Sequence, residues 1–333
     1  MLNRIAPGLL AVAALLHTPL IQAQTTDKSV SEYPAKPIRF VVTFSPSGGT
    51  DTFARAVALK LSEAWGQPVI VDNRGGGGGN IGANTVAQSP NDGYTIVFTT
   101  NATMSINPLL YKLPFDPVRD FSPISQLATV PFVLLVNPAV PAKSVTELVT
   151  YGKAQGGRLS YASSGLGGGS HLSAELLKKM GNFDMIHVPY KGGATGLIDT
   201  IGGHVQVMFS TVLTGTPHIR ANRLRGLAVT GPKRSPVLLE IPAMAETRGF
   251  EQFETDLWYG MLAPAKTDRR IVDKIYQETK RALAQPDLRK RFEPSGAQVV
   301  ASSPAEFATT MKAETKKWKH IIQIAGIKGD GTH

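Results

Sequence analysis

The sequence predicts an α/β fold of two lobes, each a sheet flanked by helices, joined by a two-strand hinge. Three observations carry that prediction. The chain has 333 residues, more than one domain of roughly 100–200 residues needs and enough to bury a large core. From Pro34 onward, runs of β-branched and aromatic residues alternate with stretches whose apolar residues recur at helical spacing, the pattern of a parallel sheet with right-handed crossovers. Two similar phrases, PFVLLVNPAVPAKSVTELV and LWYGMLAPAKTDRRIVDKI, each read strand, Pro, Ala-Lys nearby and then helix, and lie about half the chain apart.

Residues 1–23 read as a secretory signal peptide. Arg4 precedes an apolar run from Ile5 to Leu16, and small Ala23 marks the cleavage point. The run falls short of the ~20 apolar residues of a membrane span and Pro7 interrupts it, so the expectation is export to the periplasm. With no Cys in the chain, an exported protein of this size relies on its packed core rather than on disulfides.

The elements then follow in order: IRFVVTF and a helix to Trp65; PVIVDN, a Gly run and IGANTVAQ; YTIVFTT and a polar turn. A second series gives FVLLVN, a helix from Ser144 to Ala154, RLSYA, a helix from Ser170 to Met180, DMIHVPY, a helix near Ala194 to Ile201, VQVMFS and LRGLAVT. WYGMLA leads into helices near Arg269–Ala284 and Pro304–Ala325. The path is expected to change lobes near Leu127 and to return near Phe250, so that residues 33–127 and 250–333 build the first lobe and 128–249 the second.

Composition and motifs exclude several function classes. Charged residues are 18% and hydrophobic ones 42%, which argues against both disorder and a polytopic membrane protein. Net charge is +10, or +9 once Arg4 leaves with the signal (10 − 1). The basic residues are scattered and thicken only at KKWKH, so no nucleic acid partner is expected. Gly77, Gly79 and Gly82 match a dinucleotide fingerprint, but about twenty residues on stands Ala102, with no acidic group to hold a ribose. No phosphate-binding loop or nucleophile elbow occurs, and His171, His187, His204, His218 and His320 lack metal-ligand spacing. Neither cofactor nor metal is expected.

What remains is a repeated device of strand, small polar turn and helix N-terminus. It occurs at FSPSGGTD, at YASSGLGGGSH, at PYKGG and more mildly at FTTNAT. The unpaired N–H groups of a helix start attract anions, and several such turns at the carboxyl ends of strands are what an open α/β sheet uses to hold a ligand. The predicted ligand-binding residues are Phe44, Ser45, Ser47, Gly48, Gly49, Thr50 and Thr100, then Ser163, Ser164, Gly165, Ser170 and His171, and finally Tyr190, Gly192, Gly193 and Ser210. Thr50 and Ser170 are also expected to cap their helices, whereas Asp51 is expected to serve its own helix end. A carboxylate's roughly four lone-pair positions suit such donors, each bond to a charged group contributing about 1.5–3 kcal/mol. The alternative is an exported hydrolase of carboxylic esters with Ser164 or Ser47 as nucleophile.

In combination, YPAKPIRFVV, NRGGGGGNIGANTVA, INPLLYKLPFDPVRDFSPIS, SYASSGLGGGSHLSAEL, HVPYKGGATGLIDTIGGHVQVMFS and FATTMKAETKKWKHIIQIAGIK resemble the Bug-type periplasmic solute-binding proteins, the receptors of tripartite tricarboxylate transporters. The resemblance covers the whole mature chain. It implies a two-lobed, type II-like periplasmic binding protein, a monomer that closes on its ligand and delivers it to membrane permease subunits or a sensor. It also implies that the loops matching Ser45–Thr50 and Ser163–His171 hold one ligand carboxylate, partly through water. Family ligands include dicarboxylates, citrate-like acids, acidic amino acids and aromatic acids. Two departures stand out: Gly75 replaces a frequent Pro, and Ser210 follows VQVMF where many members carry an acidic residue, which disfavours a ligand whose amino group pairs there.

Overall fold

A computed structural model describes residues 30–293 and 296–327, so the predicted signal peptide lies outside the described residues. The chain divides between Tyr33 and Pro34, and the fold lies in the unit that begins at Pro34.

Strand β1 (Ile38–Val42), helix α1 (Gly49–Trp65), β2 (Val69–Asn73), α2 (Asn80–Ala87) and β3 (Thr95–Thr100) follow the predicted order. β2, β1 and β3 pair in parallel. Phe40, Val41 and Val42 are fully buried, as expected of a strand covered on both faces. After β3 the expected polar turn winds instead into a π-helical turn, Ala102–Ile106, and the short helix α3 (Asn107–Leu110).

The second half contains β4 (Phe121–Val136), α4 (Val145–Gln155), β5 (Ser160–Ser163), α5 (Gly169–Gly181), β6 (Ile186–Pro189), α6 (Gly193–Ile201) and β7 (Val207–Thr211). β6, β5 and β7 are again parallel. Helix α7 (Val212–Arg220) starts directly where β7 ends and carries Pro217 inside it. With Pro217 inside it and no loop between it and β7, it does not read as a separate helix, and the sequence reading missed it. β8 (Arg225–Val229), β9 (Asp256–Pro264), α8 (Arg269–Ala284), α9 (Pro286–Phe292), β10 (Gln298–Val299) and α10 (Pro304–Ala325) complete the order.

The sheet is mixed rather than parallel. β9 lies antiparallel between β3 and β4, and β4 runs antiparallel to β7 and β8. Alternating strands and helices disclose that strands exist but not the direction of one that returns from the other half of the molecule. The long β4 belongs to both halves: Phe121–Pro131 pairs with β9, Phe132–Val136 with β7 and Val133–Val136 with β8. Register shifts after Pro123 and after Gln126 accommodate a proline that cannot donate to the ladder.

Two apolar clusters sit on either side of this crossing. One gathers Val41, Val97, Trp258, Leu262 and Phe307; the other gathers Val133, Leu135, Met208 and Val229. Gly260 on β9 lies beneath the edge-to-face pair Trp258–Phe307, whose centroids are 5.1 Å apart, and a Cβ there would overlap both rings. Gly260→Ala should therefore lower the melting temperature, by overpacking of about 1–3 kcal/mol; an unchanged melting temperature would show that the Phe307 ring can turn aside.

Candidate functional site: three uncapped helix ends around one cavity

Helix α1 begins at Gly49 with Gly48 as its N-cap, and no side chain caps it. The loop before it is braced by Asp51. That carboxylate accepts from the Ser47 N–H at 3.0 Å, from Arg55 Nε at 3.0 Å and from Asn73 Nδ2 at 2.9 Å, and Asn73 also donates to the Phe44 carbonyl. Burial disfavours the Asp51 carboxylate, but these hydrogen bonds outweigh it and hold the pKa below its ordinary value. Asp51 thus serves its own helix end and the turn before it.

Helix α5 starts in the same way, with Gly168 as an N-cap and no side-chain cap. Ser170, expected as the cap, instead closes the preceding turn: its Oγ accepts from the Ser164 N–H at 3.0 Å and shares a further hydrogen bond with Ser164 Oγ. Thr50 likewise sits inside the first turn of α1 and caps nothing. Both assignments fail because glycine occupies the position where the backbone must come closest.

Helix α6 is the third case, with Gly192 as N-cap and no capping side chain. Here the two halves of the molecule touch. Ser45 Oγ donates to the Lys191 carbonyl at 2.9 Å, and a Cβ on Gly192 would stand 3.4 Å from that of Ser45.

These three starts enclose one cavity of about 90 Å³. Phe44, Ser45, Gly48, Gly49 and Thr50 line it from one side, and Ser164, Ser170, Gly192, Gly193 and Ser210 from the other, with Thr100 at the end of β3. No Asp, Glu, Lys, Arg or His contributes to this lining. The polarity comes from hydroxyls and main-chain N–H groups set in an apolar wall of Phe132, Met208, Phe209 and Leu257.

Five predicted residues lie outside this cavity. Ser47 is exposed in a left-handed turn (φ 68°), its N–H engaged by Asp51. Ser163 and His171 are buried struts beneath the second turn. Ser163 Oγ meets His187 Nε2 at 2.6 Å, His171 Nδ1 accepts from the Gly167 N–H at 3.2 Å, and the two imidazoles stack at 4.2 Å, with the Tyr161 ring 4.8 Å from His187 and 6.4 Å from His171. Gly165 and Tyr190 line a second, wider cavity of about 620 Å³ that also takes in Gly76–Gly79, Lys112 and Lys191 and meets the first at Phe44 and Ser164. The Tyr190 hydroxyl donates to Asp199 at 2.6 Å.

Sequence reasoning missed Tyr259, Thr211 and Thr214. The two threonines sit at the start of α7, where Thr211 accepts from the Thr214 N–H; this is the same strand-to-helix signal, hidden with the unseen helix. Tyr259 comes from β9 and carried no local signal, since only the antiparallel insertion of β9 beside β3 brings it to the cavity. Its hydroxyl and that of Thr100 are buried without a hydrogen-bond partner, a state that costs about 1–3 kcal/mol per group until a partner arrives.

Among the described residues, the hydrolase reading finds no base assembled on its candidate serines. Ser164 bonds to Ser170, Ser47 is exposed without an imidazole, and the serine that does meet one, Ser163, is fully buried.

Residues 53–327 match the model of the tripartite tricarboxylate transporter family receptor. The chain belongs to that family. It is 36% identical over 314 residues to the UPF0065 protein in the tcbD-tcbE intergenic region of Pseudomonas sp. (strain P51), covering 94% of this chain and 92% of that one. Among solved structures, periplasmic binding protein BugD is similar at 32% identity and a TM-score of 0.86, covering 90% of this chain and 100% of its own. Rpa4515 of R. palustris with adipate is similar at 35% identity and a TM-score of 0.86, covering 89% and 99%. BugD is a periplasmic binding protein, and the α/β architecture expected from the sequence is the one this chain shares with it.

The stacked imidazoles generate a pH signature. Burial drives His171 down to about 3 and His187 to about 4 from an ordinary 6.5. Below about pH 6.5 the unfolded chain takes up protons that the folded one refuses, so this contribution is full above that pH and is lost as the pH falls toward 4. Asp256 at the start of β9, which burial pushes up to about 6, works in the opposite direction. The expected outcome is that the fall in melting temperature between pH 7 and pH 5 is shallower in His187→Gln than in the wild type; parallel curves would assign the titration elsewhere.

Proposed function

We propose that this receptor captures a small organic acid by its carboxylate, between lobes formed by residues 33–127 with 250–333 and by residues 128–249, and hands it to the permease subunits of a tripartite tricarboxylate-type transporter or to a sensor. The chain is exported to the periplasm through its first 23 residues, acts as a monomer and performs no chemistry. The observation that carries the reading is the meeting of three uncapped helix N-termini in one cavity without a charged side chain. Each helix start presents unpaired N–H groups and the equivalent of roughly half a positive charge. An anion satisfies all three, and a carboxylate matches the paired N–H and hydroxyl donors.

Closure follows from the same contacts. Residues from both sides of the cavity bind one guest, so the ligand favours the arrangement in which Ser45 meets Lys191, and only that differential affinity shifts the population. The adipate bound to Rpa4515 supports the carboxylate reading, as does BugD for the periplasmic one.

A thermal-shift screen over mono- and dicarboxylates tests the reading, since a ligand at a hundred times its Kd adds about 2.7 kcal/mol. At least one acid should raise the melting temperature; a broad panel without any such acid rejects the carboxylate. Gly193→Pro then tests the helix-end mechanism. Gly193 is the first helical residue, where proline is tolerated, and its side chain position is open except for Met208 at 3.9 Å. Removing its N–H should weaken binding by roughly 10- to 100-fold. Undiminished affinity would show that α6 only frames the site.

A further inference from the structure

The donors around the cavity outnumber what one carboxylate can accept. A carboxylate has about four lone-pair positions, and each of three uncapped helix starts offers several N–H groups. Ser45 and Ser164 add hydroxyls already engaged within the protein, Ser45 with Lys191 and Ser164 with Ser170. Two further hydroxyls, on Thr100 and Tyr259, have no partner. Nothing is left on a single carboxylate to receive them.

Their placement makes them a unit. Thr100 and Tyr259 are register partners across the β3–β9 pair, so their side chains leave the sheet on the same face. Both line the cavity, and their relative exposures are 1% and 0%. The Tyr259 ring is fixed by Phe53 and Phe98, with centroids 5.2 and 5.5 Å away. Gly49 at the start of α1 faces the hydroxyl with no side chain between them: a Cβ there would lie 3.0 Å from it. Burial raises the Tyr259 phenol above its ordinary pKa, and the Thr50 hydroxyl beside it offsets this only in part without completing a hydrogen bond. The phenol therefore stays protonated and keeps a proton to donate.

We infer that the ligand carries a second oxygen acceptor besides the carboxylate held by the helix ends, and that Tyr259 with Thr100 is the specificity-determining pair that receives it. The inference rests on the carboxylate reading and narrows it to acids bearing a hydroxyl, keto or second carboxyl oxygen, as against plain aliphatic or aromatic monoacids. Phe132, Met208, Phe209 and Leu257 supply the apolar wall against which the carbon skeleton between the two oxygenated groups lies.

Matched acids test it by calorimetric titration of the mature protein. Three scaffolds serve: butyrate with its ω-hydroxy counterpart and succinate; hexanoate with its ω-hydroxy counterpart and adipate; benzoate with para-hydroxybenzoate and terephthalate. On the scaffold that fits, an oxygen-bearing member should bind roughly tenfold more tightly than the plain acid, and the better of the two oxygen-bearing members tells a neutral oxygen from a second carboxylate. In Tyr259→Phe that preference should fall toward unity, with Thr100→Val reporting the same loss from the other hydroxyl should the phenylalanine variant not fold. A merely structural role for Tyr259 would lower affinity for plain and oxygenated acids alike and leave the ratio standing; that result overturns the inference while sparing the carboxylate reading. If no acid on any scaffold binds the wild type, both fall together.

Discussion

Unpaired main-chain N–H groups at three helix ends are the constraint around which this molecule is arranged. A helix normally disposes of its first donors through a Ser, Thr, Asp or Asn cap, and the chain uses that solution elsewhere, at Ser144, Thr211, Asp268 and Ser303. At Gly48, Gly168 and Gly192 it does not. The omission leaves an electropositive cavity built wholly from neutral groups. A lysine or arginine there would have to be desolvated in the empty protein, at a cost of several kcal/mol per ion, whereas amides fixed by their helices need no such compensation.

The glycines follow from the same requirement. At Gly49 a methyl group would come within 3.0 Å of the Tyr259 hydroxyl and 3.2 Å of Thr211 Oγ1, crowding two hydroxyls that line the cavity. At Gly192 it would come into contact with Ser45, the residue through which the two halves touch. Small residues here let the backbone border the cavity directly and let Gly192 lie against Ser45. The supporting shell is correspondingly rigid: Asp51 ties down the first turn, and the stack of Tyr161, His187 and His171 holds the second.

The crossing strands connect this site to the frame. β4 passes from one half to the other without a break, and β9 returns beside it, so Phe132, Leu257 and Tyr259 line the cavity from the strands that join the halves.

By itself the sequence determined the order of most strands and helices and the anion-seeking turns at FSPSGGTD, YASSGLGGGSH and PYKGG. Those features are local, because apolar spacing and the small residues of a turn act within a few positions of one another. Tertiary structure alone decided which of the turn residues face the cavity, sending Ser47 outward and Ser163 and His171 beneath the loop, and which distant side chains join them. It also decided that β9 enters antiparallel beside β3, and with it the position of Tyr259. Strand direction and register depend on pairing energies between segments more than a hundred residues apart, and no local pattern records them.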